Sequence, residues 1–194
     1  MLTPNEKRLL RYLASTTQDC SINQLAKDCG LSPSGAHKIL KKLEKEGVLK
    51  AKHIANILSY TLDFQGDNTS SVLHLAFVPP ALQGRVKLRA QDLSQLKKSA
   101  KVCILFGSFI TEKQSPSDLD MVAVFEKDDF DDYNQALDRV KDLSPIKIQD
   151  VIQTTQDLRD NIKKGDPIIR AALRNGVVLW GIDPLLEVIK SVHE

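Results

Sequence analysis

The sequence predicts an α+β protein in two parts, an N-terminal unit of three helices and a hairpin followed by a C-terminal α/β core with a mixed sheet. Apolar residues recur at helical spacing through most of residues 4–46, and β-prone runs follow. From residue 90 to residue 181, helical and strand patterns alternate. Between the two parts, FQGDNTSS at residues 64–71 holds a single apolar side chain. We therefore expect domains at residues 1–64 and 72–194, joined by a linker at 65–71.

Composition excludes several classes of protein. The chain has 194 residues and 42% hydrophobic content, which suits a globular protein with a sizeable core. Its start, MLTPNEKRLL, carries charges where a signal peptide needs an apolar run, so we expect a soluble, cytoplasmic protein with no membrane association. Cys20, Cys29 and Cys103 and the four histidines lack metal-ligand spacing, so we expect neither a disulfide nor a zinc site.

The positive charge is concentrated near the N-terminus. Residues 1–64 hold 10 Lys plus Arg against 6 Asp plus Glu, whereas the remainder holds 17 against 19. The basic excess is therefore N-terminal.

The first part begins with three predicted helices. In PNEKRLLRYLAS, leucines and a tyrosine cluster on one helical face, and Thr3 with Glu6 forms a capping box. Ser21 caps a short second helix that Gly30 ends. Ser32 caps a third helix, whose apolar stripe continues to Gly47. Two β-prone runs then flank a turn at residues 53–56, which indicates a hairpin.

This pattern resembles the winged helix-turn-helix domains of bacterial and archaeal transcription regulators, most clearly in INQLAKDCGLSPSGAHKILKKLEKEGVL. The resemblance implies that the third helix enters a DNA groove while cations neutralise phosphates. The residues expected to contact DNA lie off the apolar stripe or on the wing: Ser34, His37, Lys38, Lys41, Lys42, Lys45, Lys50 and Lys52. Two alternatives stay open, namely that these lysines form a solvated face or that the domain docks a protein.

The second part contains the stretch FGSFITEKQSPSDLDMVAVF, residues 106–125. Asp118 and Asp120 are two apart on a predicted strand, so their carboxylates share a face and could hold a hard cation such as Mg²⁺. Gly107 and Ser108 follow the preceding strand, where a missing side chain and a hydroxyl suit a phosphate. A simple turn with an exposed second acid is the alternative.

Gly-Ser followed by Ser-Asp-Leu-Asp resembles the DNA polymerase β-like nucleotidyltransferase superfamily, most closely its minimal members, over about residues 90–182. The resemblance implies Asp118, Asp120 and a third carboxylate, Asp150, as catalytic residues and Mg²⁺ ligands, with ATP or another nucleoside triphosphate as substrate. Asp142 and Asp157 compete for the third place but are less well placed on an apolar strand. It also implies Gly107, Ser108, Lys113 and Ser117 as nucleotide-binding residues. DPIIRAALRNGVVLWG, residues 166–181, resembles the closing helix and strand of the family. The Arg and Gly that many members carry after Gly-Ser are missing here, where Lys113 is the cation.

Two functions follow from these resemblances. The first is Mg²⁺-dependent transfer of AMP to a protein partner, as in antitoxins that modify a HEPN-type ribonuclease, with the winged helix binding promoter DNA. The second is a DNA-binding regulator whose transferase fold senses nucleotide or docks a partner without catalysis. The sequence leaves the acceptor and the formation of a homodimer open.

Overall fold

The computed structural model describes residues 1–54, 57–111 and 116–194. It confirms the α+β class, with a helical N-terminal unit bearing a wing and a C-terminal core built on a mixed sheet. No helix in these described ranges is long and apolar enough to cross a lipid bilayer.

The N-terminal unit contains the three predicted helices. Their N-caps are the predicted ones: the Thr3 side chain accepts from the Glu6 amide in a capping box, Ser21 from Gln24 and Ser32 from Gly35. Each cap satisfies an amide that the first helical turn leaves without a partner. The helices are α1 (Pro4–Ala14), α2 (Ile22–Asp28) and α3 (Pro33–Lys45).

The wing is a three-stranded sheet in the order β1, β3, β2, formed by β1 (Cys20–Ser21), β2 (Leu49–Ile54) and β3 (Ile57–Leu62). Strands β2 and β3 form the predicted antiparallel hairpin. Its predicted turn includes residues 55 and 56, which lie outside the described residues. The sequence did not predict β1, because two residues pairing with Tyr60 and Ser59 are too short to show a period.

Helix α4 (Thr69–Phe77) begins inside the segment predicted as a linker. The Thr69 hydroxyl donates to the carbonyl oxygens of Asp63, at 2.5 Å, and Gly47, at 3.3 Å, which ties the start of the helix to the wing. The boundaries 1–64, 65–71 and 72–194 stay a prediction.

The C-terminal core is a four-stranded sheet in the order β6, β5, β4, β7, with β5 and β6 parallel and the other neighbours antiparallel. The helix predicted at residues 90–100 begins earlier, at Gly84, and continues as a 3₁₀ turn over Ser94–Lys98. The remaining elements are α5 (Gly84–Leu93), β4 (Val102–Phe106), β5 (Asp118–Phe125), α6 (Phe130–Leu143), β6 (Lys147–Thr154), α7 (Thr155–Lys164), α8 (Pro167–Asn175), β7 (Val177–Trp180) and α9 (Ile182–His193).

Each face of this sheet has its own apolar core. Ile104 and Val122, which pair between β4 and β5, belong to the core that also contains residues of α7, α8 and α9. That core continues into the N-terminal unit through Leu9 and Leu13 of α1. The other face contributes alternate residues such as Met121 to a core with α5 and α6. The acid pair of β5 therefore shares its face with α8 and the winged helix.

Candidate nucleotide site and nucleic-acid interface

The loop after β4 brings a glycine against a carboxylate. Gly107 has a φ of +74°, which L side chains rarely adopt, and it opens a 3₁₀ turn over Gly107–Ile110. A Cβ built at Gly107 would lie 2.3 Å from Oδ2 of Asp120. The pairing of Phe106 with Asp120 produces this closeness. A side chain at position 107 would thus displace the second aspartate.

Asp118 and Asp120 open β5, and both are partly buried on one face of the sheet. Burial, followed by the nearby charge of Asp118, raises the pKa of the Asp120 carboxyl. Among the described residues, neither carboxylate forms an ion pair with a cationic side chain. The pair is therefore an acidic site whose repulsion a bound cation would relieve.

The expectation that Asp150 completes this acid pair is wrong. In the parallel register, Asp120 lies opposite Gln149, whereas Asp150 lies opposite Met121. Neighbouring residues of a strand point to opposite faces, so the shift of one residue turns Asp150 away from the pair.

Asp150 instead belongs to a polar cluster with α6. Its two carboxylate oxygens accept from Tyr133 Oη at 3.3 Å and from Lys141 Nζ at 3.1 Å. Tyr133 is fully buried, and burial with the nearby Asp150 raises the pKa of its hydroxyl, which stays protonated as a donor. These contacts give Asp150 a structural role beneath α6.

The position expected for a third carboxylate is occupied by Gln149. Its amide Nε2 donates to Oδ2 of Asp118 at 2.5 Å, and Ser117 Oγ donates to Oδ1 of the same carboxylate at 3.1 Å. Sequence analysis missed Gln149, although a signal was present: Ile146 and Ile148 mark the apolar face of β6, which leaves Gln149 on the other face.

The donor set fits one Mg²⁺ ion bound together with a nucleotide. Within the described ranges, no group of three or more His, Cys, Asp or Glu side chains is arranged to hold a metal. Two carboxylates are nevertheless enough when phosphate oxygens and water complete an octahedral shell. Asp118 and Asp120 would hold such an ion, and Gln149 keeps the first of them in place.

The other predicted nucleotide contacts surround the same loop. Ser108 is partly exposed in the 3₁₀ turn, and Ser117 is exposed before β5. Lys113 lies outside the described residues. A cation that sequence analysis missed, Arg85 of α5, donates to the carbonyl oxygens of Phe109, at 2.9 Å, and Thr111. The cation of Arg85 also lies 5.3 Å from the centre of the Phe109 ring, so this side chain holds the loop that carries Gly107.

The expected DNA-contacting residues are all exposed, but their surroundings differ. Lys42 is bonded to Glu6 at 2.8 Å and lies 3.8 Å from Glu46, so it mainly joins α3 to α1. Lys41 pairs with its helix neighbour Glu44, at 2.9 Å, and Lys52 lies 3.7 Å from Asp19. The residues on the outer face of α3 and on the wing are Ser34, His37, Lys38, Lys41, Lys45, Lys50 and Lys52.

The fold and the site define a winged helix-turn-helix domain joined to a domain with the nucleotidyltransferase fold. Comparison with protein families agrees: residues 2–50 match the model for winged helix-turn-helix DNA-binding, and residues 90–184 match the model for polymerase beta nucleotidyltransferases. Each of the two parts of the chain thus matches the model of one of these families. The search of curated proteins and the search of solved structures found no match.

Proposed function

We propose that this chain is a DNA-binding regulator whose nucleotidyltransferase domain binds a nucleoside triphosphate with Mg²⁺ but lacks a carboxylate of its own to activate an acceptor. The observation that supports this is the register of β6, which puts Gln149 beside Asp118 and Asp120 and turns Asp150 to the other face. A carboxamide cannot accept the proton of an attacking hydroxyl as a carboxylate can.

The nucleotide-binding part of the proposal depends on the residues around Gly107. Bound Mg²⁺ would neutralise the charge of the triphosphate. Asp118 and Asp120 would hold the ion, the bare backbone at Gly107 would let phosphate approach, and Ser108 would offer a hydroxyl and an amide. None of these contributions depends on a carboxylate at position 149. The site could therefore bind nucleotide without catalysing its transfer.

The DNA-binding part depends on the outer face of α3 and on the wing. Exposed lysines there would neutralise phosphates, and their interactions would be mostly independent of base sequence. Because α1 shares a core with the sheet, nucleotide binding at the sheet and DNA binding by the winged helix would occur in one packed unit.

The test measures binding and transfer separately. Equilibrium binding of labelled ATP with Mg²⁺ should be strong for the native chain and strongly weakened by Asp118→Ala or Asp120→Ala. Release of pyrophosphate should stay at background in the presence of promoter DNA and cell proteins. Rapid pyrophosphate release that Asp118→Ala abolishes would replace this proposal by AMP transfer.

That second candidate is transfer of AMP from ATP to a protein, with the winged helix repressing a shared promoter. The carboxylate pair and Gly107, which lies against Asp120, favour this candidate. Nucleotidyl transfer needs carboxylates to hold Mg²⁺ and an open backbone where the phosphates approach. The acceptor would be a Tyr, Ser or Thr hydroxyl on a HEPN-type partner. Mass spectrometry after coexpression should then show added AMP on that partner with the native chain and none with Asp118→Ala.

A further inference from the structure

A cleft of about 310 Å³ lies between the winged helix and the transferase domain. Its walls are α1, the segment from Val78 to Pro80, and the turn from α8 to β7. None of the described residues that line it is acidic, and four are cationic: Lys7, Arg8, Arg11 and Arg174. The chain as a whole has a net charge of only +2, so positive charge is concentrated in this cleft.

None of these four side chains is paired directly with a carboxylate of the described residues. The carboxylate of Asp28 accepts hydrogen bonds from Tyr12 Oη and Gln24 Nε2, which lower its pKa, and the charge of Arg174 adds only a smaller effect. The positive potential of the cleft is therefore open to an added anion.

The four cations contact neutral groups. Lys7 Nζ donates to the Val78 carbonyl at 3.2 Å, and Arg8 Nη1 donates to the Cys29 carbonyl at 2.9 Å. Arg174 Nε donates to Ser15 Oγ at 2.8 Å. A carbonyl or hydroxyl oxygen fixes the direction of such a side chain but leaves its formal charge in place.

Arg11 is partly buried and has the most hydrogen-bonded guanidinium of the four among the described contacts. Its guanidinium donates to the carbonyl oxygens of Leu173 at 2.7 Å and Gly176 at 2.6 Å, and it lies 5.0 Å from the centre of the Phe77 ring. Burial lowers its pKa to about 10, so it remains protonated at neutral pH. The cleft therefore has a fixed positive charge at its base.

The cleft opens at the same end of the sheet as the acid pair. Gly176 leads into β7, where Val177 pairs with Leu105, and the next residue of β4, Phe106, pairs with Asp120. Two strand spacings, about 10 Å, thus separate the start of β7 from Asp120. An anionic ligand in the cleft would lie beside the nucleotide site but would not need its Mg²⁺.

We propose that this interdomain cleft is an anion site for phosphate groups, of a nucleoside polyphosphate or of a nucleic-acid backbone, and that it is distinct from the carboxylate pair. Phosphate oxygens accept from Lys and Arg in charge-assisted bonds, which carbonyl contacts do not replace. Because α1 and α8 each supply cations, a bound phosphate group would join the two domains.

The test uses the full chain in EDTA, which keeps Mg²⁺ from the acid pair. The chain is titrated with inorganic tripolyphosphate and, in a separate experiment, with a labelled 12-nucleotide single strand. The double variant Lys7→Gln with Arg8→Gln removes two cations and spares the enclosed Arg11. It should raise the Kd for tripolyphosphate about tenfold. The control pair Lys163→Gln with Lys164→Gln, on the exposed face of α7, should leave the Kd unchanged.

A charge-preserving variant, Lys7→Arg with Arg8→Lys, separates the effect of charge from the effect of folding and should bind like the native chain. If the double variant loses both probes, the source of the phosphate is nucleic acid; if it loses tripolyphosphate alone, the source is a small polyphosphate. Equal affinity of the double variant and the native chain, or no binding of either probe by the native chain, overturns the proposal. Because no arm uses Mg²⁺, failure here leaves the proposed function intact.

Discussion

Gln149 donates a hydrogen bond from its amide to Oδ2 of Asp118, across the parallel pair of strands β5 and β6. The side chain that neighbours the acid pair is therefore neutral. Replacing Gln149 with Asp would put a third carboxylate on the face of the acid pair without crowding it, since Asp is shorter than Gln by one methylene.

The first prediction concerns Gln149→Asp. A third carboxylate should tighten Mg²⁺ binding in the presence of ATP by about tenfold and should produce pyrophosphate release, which we expect to stay at background for the native chain. Isothermal titration and a coupled pyrophosphate assay measure the two effects. Gln91→Asp, which adds the same charge at an exposed position of α5, is the matched control and should change neither. Metal affinity that is equal in both variants would contradict the prediction.

The second prediction separates two aspartates that the sequence groups together. Asp150→Asn should leave Mg²⁺-dependent ATP binding within about twofold of native, because Asp150 faces away from the acid pair. It should lower the free energy of unfolding by about 1–3 kcal/mol, since Tyr133 and Lys141 lose a charged acceptor. Asp118→Ala should weaken Mg²⁺-dependent ATP binding strongly and change the free energy of unfolding less. Denaturant titration and ATP binding on both variants check the contrast.

The third prediction concerns Gly107→Ala. The positive φ costs an alanine about 1–2 kcal/mol, and the new Cβ would lie 2.3 Å from Asp120 Oδ2, so both stability and Mg²⁺-dependent ATP binding should fall. Gly84→Ala is the matched control: its φ is +52°, yet a Cβ there meets nothing within 4 Å. It should reduce stability alone. Unchanged ATP binding in Gly107→Ala would remove that glycine from the site.

The fourth prediction concerns the DNA-facing lysines. Neutralising Lys38, Lys41 and Lys45 together by Gln should reduce the slope of log affinity against log salt by about 0.9 for each phosphate that these lysines neutralise in the native complex. Lys42→Gln should leave that slope unchanged and lower the free energy of unfolding, because its partner Glu6 is buried. Fluorescence anisotropy across a salt series checks both variants. Full binding by a fragment of residues 72–194 would place DNA binding elsewhere.

The fifth prediction is a pH effect from His193, near the end of α9. Burial lowers its pKa to about 4, against a weaker opposite effect from a hydrogen bond with the Ala14 backbone. Between pH 6.5 and 4, His193 is protonated in the unfolded chain but mostly neutral in the folded chain. The free energy of unfolding is therefore highest above pH 6.5 and falls as the pH drops towards 4. At pH 5 the loss should reach up to about 2 kcal/mol.

Denaturant titrations at pH 7.5 and pH 5 test this effect. His193→Leu keeps an apolar body beside Phe64, whose ring centroid lies 5.8 Å from that of the imidazole, and removes the titrating group. The variant should lose less stability between the two pH values than the native chain. An equal loss in both proteins would assign the acid sensitivity to other groups.

Local features of the fold were predictable because their causes are local. Thr3, Ser21 and Ser32 cap their helices as predicted, since a cap depends on residues within one turn. The acid pair on one face of β5 follows from the two-residue repeat of a strand. The two-residue strand β1 was not predicted, because it is defined by its pairing with β3, whose residues are distant in the sequence.

The sequence by itself determined the two domain types, the helix caps, the hairpin and the Asp118 and Asp120 pair, because short-range spacing and side-chain chemistry decide them. Only the tertiary structure decided which residue of β6 joins that pair. Parallel strands are set in register by the packing of both sheet faces, and a shift of one residue exchanges Gln149 for Asp150. The cationic cleft likewise exists only where α1 packs on α8, since residues 7 and 174 are brought together by a shared core.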